Sequence, residues 1–254
     1  MAGGTWIMRA SLRGERRKAV HVVLDGIDEL HEFQADTLTR IGAMTTHARI
    51  AQLTEPALAA LARAAATSAF PAVRNVATLG GNLRATPFPE ADLVPALLAS
   101  EARVELAGRR GALTTGIEEF LAAPRPAEEL VVSAVIPAPA RRISGYQRLT
   151  VRGGGEYPVA SVALSADVRD DGLVEAARVA IGSVESTARL CLEAGRTLVG
   201  RPLTADTAEA AGRVAAQECT PREDAGAPGW YRAAVLPELL RRIGASIAGG
   251  ATQA

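Results

Sequence analysis

Two short segments hold the residues best suited to grip a ligand: Ala2-Gly3-Gly4-Thr5 and Thr78-Leu79-Gly80-Gly81-Asn82. Consecutive glycines lack Cβ atoms, so their backbone N–H groups can converge on one anion and approach it closely. Threonine hydroxyls and the Asn82 amide add donors suited to phosphate or polyol oxygens. Two such bends can hold the two phosphates of a dinucleotide between them. Either bend alone is weak, because Gly-Gly is more often simply a turn.

Other phosphate and nucleophile signatures are missing. No Gly-x-Gly-x-x-Gly links a strand to a helix, and Gly153-Gly154-Gly155 runs on into Glu156-Tyr157-Pro158. Lys18 is the only lysine, and it stands outside any Gly-x-x-x-x-Gly-Lys string. There is no Gly-x-Ser-x-Gly elbow. Cys191 and Cys219 are too few for an iron–sulfur cluster or a cysteine zinc site, and His21, His31 and His47 are scattered. His47, after Thr45-Thr46, reads as the first turn of a short Thr-capped helix. Asp92 has the reading of a carboxylate favoured at a helix start, Arg148 that of a surface strand residue, and Cys191 that of a small core residue on a helix face.

The elements that must position these groups follow from hydrophobic patterning. Residues 20–25 predict a buried strand closed by Asp25-Gly26, and a helix is expected over 56–67, with Pro56 at its start. A second helix should cover about 90–100, with strands at 102–107 and 130–136. Pro137 and Pro139 suggest a boundary between domains spanning 1–137 and 141–250. Beyond it, Asp170-Asp171-Gly172 separates apolar runs at 159–168 and 173–181, the pattern of an antiparallel hairpin. Helices are expected at 186–199, 204–219 and 231–248.

Composition sets the outer limits. With 254 residues and 48% apolar side chains, the chain can bury a large core in one or two domains. Its 28 basic and 28 acidic residues cancel, which argues against nucleic acid as a partner. No apolar run is long enough to span a membrane, and the N-terminus lacks a secretory layout, so a cytoplasmic protein is expected.

The run Phe70–Leu83, followed by Pro89–Leu98, resembles the FAD-binding medium subunit of molybdenum hydroxylases, the xanthine dehydrogenase and carbon monoxide dehydrogenase family. Ala2–Thr5, Ile41–His47, Glu129–Pro137, Tyr146–Arg148 with Arg152, Trp230–Arg232 and Leu239–Arg242 match further landmarks in order. The resemblance implies an α/β, PCMH-type (vanillyl-alcohol-oxidase-like) FAD domain, followed by an α+β domain with an antiparallel sheet and helices. It also implies an FAD-binding electron-transfer flavoprotein subunit of an oxidoreductase. In such a complex a large partner subunit carries molybdopterin and a small one carries [2Fe–2S] clusters. The alternatives are a flavin-free structural subunit of the complex and a stand-alone flavin oxidoreductase.

By the same resemblance, Ala2, Gly3, Gly4, Thr5 and Trp6 would wrap the FAD diphosphate from one side. Thr78, Leu79, Gly80, Gly81 and Asn82 would do so from the other. Asp92 would accept hydrogen bonds from FAD hydroxyls, Val132 would flank the flavin end, and Arg148 would place a cation near the isoalloxazine. No acid–base residue of substrate turnover is implied in this chain. The family pattern carries a strand, a helix and a strand ahead of the first bend, whereas this sequence opens on the bend itself. The N-terminal subdomain is thus expected to be truncated: either the start is assigned too late, or FAD binding is weak or lost. The step from Asn82 to Asp92 is also one residue longer than the pattern.

Overall fold

The computed structural model describes residues 2–251 except 17–18, 35–37, 86, 110, 124–127 and 152–156. Lys18, Arg152 and the Gly153-Gly154-Gly155 run therefore lie outside the described residues. Among the described residues, nine strands form two antiparallel sheets. The first contains β1 (Phe33–Gln34), β2 (Leu38–Gly42), β3 (Arg103–Gly108), β4 (Gly111–Gly116) and β5 (Leu130–Pro137), in the order β1-β2-β5-β3-β4. The second contains β6 (Arg142–Thr150), β7 (Pro158–Val168), β8 (Val174–Gly182) and β9 (Arg189–Cys191), in chain order.

Short helices accompany the sheets: α1 (His47–Ile50), α2 (Ala59–Thr67), α3 (Pro71–Arg74), α4 (Leu79–Arg84), α5 (Leu93–Ala99) and α6 (Ile117–Ala122), with α4 and α6 packed on the first sheet and α2 and α5 on the second. The second sheet is backed by α7 (Leu192–Arg196), α8 (Ala205–Glu218), α9 (Gly229–Ala234) and α10 (Leu236–Ala251). The helix expected at 56–67 is a single 3-10 turn, Pro56–Leu58, running into α2. Proline suits that first turn because its missing N–H would have no partner there. Alanine-rich α2 is small enough to lie flat on β6, where the Ala60 N–H donates to Ser144 Oγ at 2.9 Å.

The hairpin expected from Asp170-Asp171-Gly172 is β7–β8, with Gly172 at φ +80° in the turn. An L side chain is strained at such an angle, and glycine is not. Its strands are buried over most of their length, so they read as continuous apolar runs rather than alternating ones.

Three expectations need correction. Residues 20–25 lie outside both sheets, and Val20, Val22 and Val23 are 80%, 69% and 67% exposed. Apolar β-branched sequence becomes a strand only where a ladder receives it, and β1 already holds the edge beside β2. The helix expected at 186–199 divides into β9, which pairs Cys191 with Val179, and the short α7. Cys191 thus closes a strand, and it is fully buried. The last helix is broken at Val235 into α9 and α10, with Pro237 in the first turn of α10.

Candidate functional site

The two glycine bends meet. Gly3 has φ +58° and Gly4 φ +77°, and a Cβ on Gly3 would sit 2.1 Å from the Val76 carbonyl oxygen. The first bend is therefore pressed onto the backbone that feeds the second. A Cβ on Gly81 would lie 3.5 Å from the Ala2 carbonyl oxygen. Both bends open onto one cleft of about 600 Å³, within the roughly 300–1,000 Å³ usual for small-molecule sites.

Of the residues singled out from sequence, Ala2, Gly4, Thr5, Trp6, Thr78, Gly80, Gly81, Asn82 and Asp92 line this cleft. Gly3, Leu79, Val132 and Arg148 are not among its lining residues. Gly3 supports the bend from behind, and Leu79 is fully buried in the core. Val132 is buried on β5, its carbonyl accepting from the Ala43 N–H at 2.8 Å, while its neighbours Leu130 and Val131 form the cleft wall.

The second bend differs from the expected anion cradle. The Leu79 N–H donates to the Thr45 carbonyl at 3.0 Å and the Gly80 N–H to the Ala43 carbonyl at 2.8 Å. The Gly81 N–H donates to Thr78 Oγ1, the N-cap of α4, at 3.2 Å, and the Asn82 N–H to the Thr78 carbonyl at 2.9 Å. Gly80 is required by packing: a Cβ there would lie 2.8 Å from the Ala43 Cβ. Of these four N–H groups, Gly81 makes the longest bond, to a side chain that can rotate.

Asp92 stands at the buried start of α5 without a side-chain capping bond, and it accepts from Tyr146 Oη at 2.5 Å. Arg148 Nε lies 3.3 Å from the same Oδ1, and Arg148 also donates to the Thr67 carbonyl. The arginine expected beside the flavin ring is thus turned inward to support Asp92. Burial, and then the Asp92 charge, push the Tyr146 hydroxyl well above its ordinary range, so it is a donor at any working pH. β6 brings Tyr146 and Arg148 to the carboxylate from one side of the strand, two residues apart.

Several lining groups have no local signature in the sequence. Aromatic residues make up only 4% of the chain, yet three meet at the rim. Trp6 and Phe88 have ring centroids 4.4 Å apart, and Phe88 and Tyr157 are 5.8 Å apart, edge-on. The Arg13 guanidinium lies 3.8 Å from the Trp6 ring centroid, and Arg9 Nη1 donates to Tyr157 Oη at 2.9 Å. Arg9 and Arg84 bring positive charge to the cleft, with Asp92 and Glu129 opposing it. His47 follows its Thr46 cap as expected, but its ring is buried against the cleft.

The fit to a flavin dinucleotide is good on three counts. The two bends are held against each other at the cleft, since a Cβ on Gly3 would strike the Val76 carbonyl and one on Gly81 would crowd Thr78 Oγ1 beside Ala2. The cleft is mostly apolar but carries arginine and hydroxyl groups near the bends. Two polar atoms on lining residues, Asn82 Oδ1 and His47 Nε2, are buried without a hydrogen-bond partner among the described residues. Such atoms cost free energy until a ligand meets them. Among the described residues no cluster could hold a metal ion, and no helix is long and apolar enough to cross a membrane.

Comparison with known proteins agrees with this geometry. Residues 146–247 match the CO dehydrogenase flavoprotein C-terminal domain. The carbon monoxide dehydrogenase medium chain of Hydrogenophaga pseudoflava is 31% identical over 211 residues, covering 80% of this chain and 72% of that one. A putative xanthine dehydrogenase FAD-binding subunit of Escherichia coli K12 is 27% identical over 255 residues, covering 96% and 86%. Among solved structures, quinoline 2-oxidoreductase from Pseudomonas putida 86 superposes with a TM-score of 0.83 at 28% identity, covering 99% of this chain and 89% of that one. Residues 1–139 match the FAD binding domain in molybdopterin dehydrogenase, and the chain belongs to that family of oxidoreductase flavoproteins, with FAD as its cofactor.

Proposed function

We propose that this chain holds FAD between its two glycine bends and acts as the electron-transfer subunit of a molybdenum hydroxylase. Its partners would be a large molybdopterin subunit and a small [2Fe–2S] subunit. The observation that carries the reading is the contact of the Gly3 and Gly81 bends across one cleft. Bound there, FAD accepts electrons singly and gives up two together.

The chain's own residues bind and orient. The bare backbone at Gly4 and Gly81 lets a diphosphate approach, with Thr5, Thr78 and the Asn82 amide as donors and Arg84 and Arg9 as countercharge. Ala2, Gly3 and Leu79 fix the two bends from behind. Asp92, held by Tyr146 and Arg148, keeps a carboxylate oriented to accept from cofactor hydroxyls. Trp6, Phe88 and Tyr157 shield the cleft from water, and the β5 wall at Leu130 and Val131, backed by Val132, flanks the flavin end.

The test is reconstitution of the full chain with FAD, followed by visible absorbance and a binding titration. Wild type should retain flavin. Gly81→Val, which places a branched side chain against Thr78 and Ala2, should lose at least tenfold in affinity. Unchanged FAD content in that variant would remove the second bend from the site. Co-purification with a molybdopterin subunit and a cluster subunit tests the assembly.

A further inference from the structure

One imidazole nitrogen beside the cleft is left with a defined chemical demand. His47 opens α1 and is only 3% exposed. Its Nδ1 lies 2.8 Å from Ser68 Oγ, and that hydroxyl donates to the Ala65 carbonyl at 3.0 Å. A hydroxyl has one proton to give, so at Ser68 the ring is the donor. Nδ1 therefore carries hydrogen, and Nε2 carries a lone pair. Nε2 is buried and makes no hydrogen bond of normal geometry among the described residues, while the side chain lines the cleft. Burial pushes the imidazole down to about 4, opposed by a backbone interaction with Thr78 and reinforced by the Arg74 charge. The ring is neutral at ordinary pH, and the bare nitrogen remains an acceptor.

We propose that His47 is a cofactor-binding residue whose Nε2 accepts a hydrogen bond from a hydroxyl or imide N–H of FAD. The inference rests on the FAD reading above and adds a contact to it. Phosphate oxygens are acceptors and do not satisfy Nε2, so His47 reads the donor-bearing parts of the cofactor, leaving the diphosphate to the glycine bends. Ser68 is a positioning residue, because it sets which ring nitrogen faces the cleft.

Nitrogen NMR of the full chain labelled with 15N-histidine tests the tautomer, and with three histidines the spectrum is simple to assign. The apo protein should show His47 protonated at Nδ1 and bare at Nε2. Adding FAD should move the Nε2 signal upfield and leave Nδ1 nearly still. His47→Asn keeps a donor toward Ser68 and removes the far acceptor. It should weaken FAD binding about tenfold or more, as expected for an unmet buried donor. His47→Gln keeps an acceptor near the Nε2 position and should recover most of that affinity. Apo melting temperatures separate a structural loss from a binding one. If wild type binds no FAD, the parent reading falls and this inference with it. If wild type binds FAD but Nε2 is protonated, its signal does not move, or His47→Asn binds equally well, this inference alone is overturned.

Discussion

Arg232 and His47 are both buried basic side chains, and the regions around them differ in one respect. Arg232, on α9, is 2% exposed and places its donors on protein acceptors. Nε donates to the Ala227 carbonyl at 3.3 Å, Nη1 to Val159 at 2.6 Å and Ser183 at 3.0 Å, and Nη2 to Asp224 Oδ1 at 2.7 Å. The cluster ties α9 to β7 and to the end of β8, and leaves nothing for a ligand. His47 has one ring nitrogen satisfied and the other bare. A closed polar cluster makes the C-terminal half rigid, while an open one at the cleft is a site that awaits a partner. The same contrast marks the backbone. Long ladders fill the second sheet, whereas the cleft is built from short helices and left-handed glycines.

The largest effect should come from opening the closed cluster. Arg232→Leu removes a donor from three buried carbonyls and one of the two arginine partners of Asp224, and each buried acceptor left unmet costs about 1–3 kcal/mol. Urea unfolding of the variant should show that loss in the midpoint with little change in slope. A loss below about 1 kcal/mol would mean that the cluster is no more closed than the cleft.

What the sequence made legible follows the same division. The β7–β8 hairpin could be read because Asp170-Asp171-Gly172 and its flanks are local signals. The glycine bends were legible for the same reason, and both line the cleft. Their amides were not, because Leu79 and Gly80 pair with carbonyls some thirty-five residues earlier in the chain. Nor could Tyr157 and Phe88 be foreseen at the rim, since they arrive on separate loops. Arg148 was recognised as a cation, but its inward turn depends on β6 meeting α5 at Asp92. The run over 20–25 failed in the opposite direction: its composition is that of a strand, and no ladder claims it.

The open site should reveal itself through pH. The folded-state value of about 4 for His47 lies below its ordinary 6.5. Between these limits the unfolded chain takes up a proton that the folded one refuses, so stability falls as pH drops from about 6.5 and levels off near 4. The full span is roughly 3 kcal/mol. Subtracting the urea-derived stabilities of His47→Phe from those of wild type over that window isolates this part. An unchanged slope in the variant would place the titration elsewhere and erase the contrast with Arg232. Bound FAD should carry the fall in stability to lower pH before it levels off, because a protonated Nε2 can no longer accept.

The smallest effect tests whether Asp92 belongs to the closed class or the open one. Tyr146→Phe deletes one hydrogen bond to the carboxylate and leaves Arg148 in place. A closed cluster loses the full value of a charge-assisted bond, about 1.5–3 kcal/mol. At a cleft wall, the carboxylate can turn toward solvent or cofactor and recover part of that. The expected loss in apo stability is therefore nearer 1 kcal/mol. FAD should bind more weakly, because the freed carboxylate must be ordered again on binding. A loss as large as that of Arg232→Leu, with FAD affinity intact, would move Asp92 into the structural class and leave the cofactor hydroxyls to other acceptors.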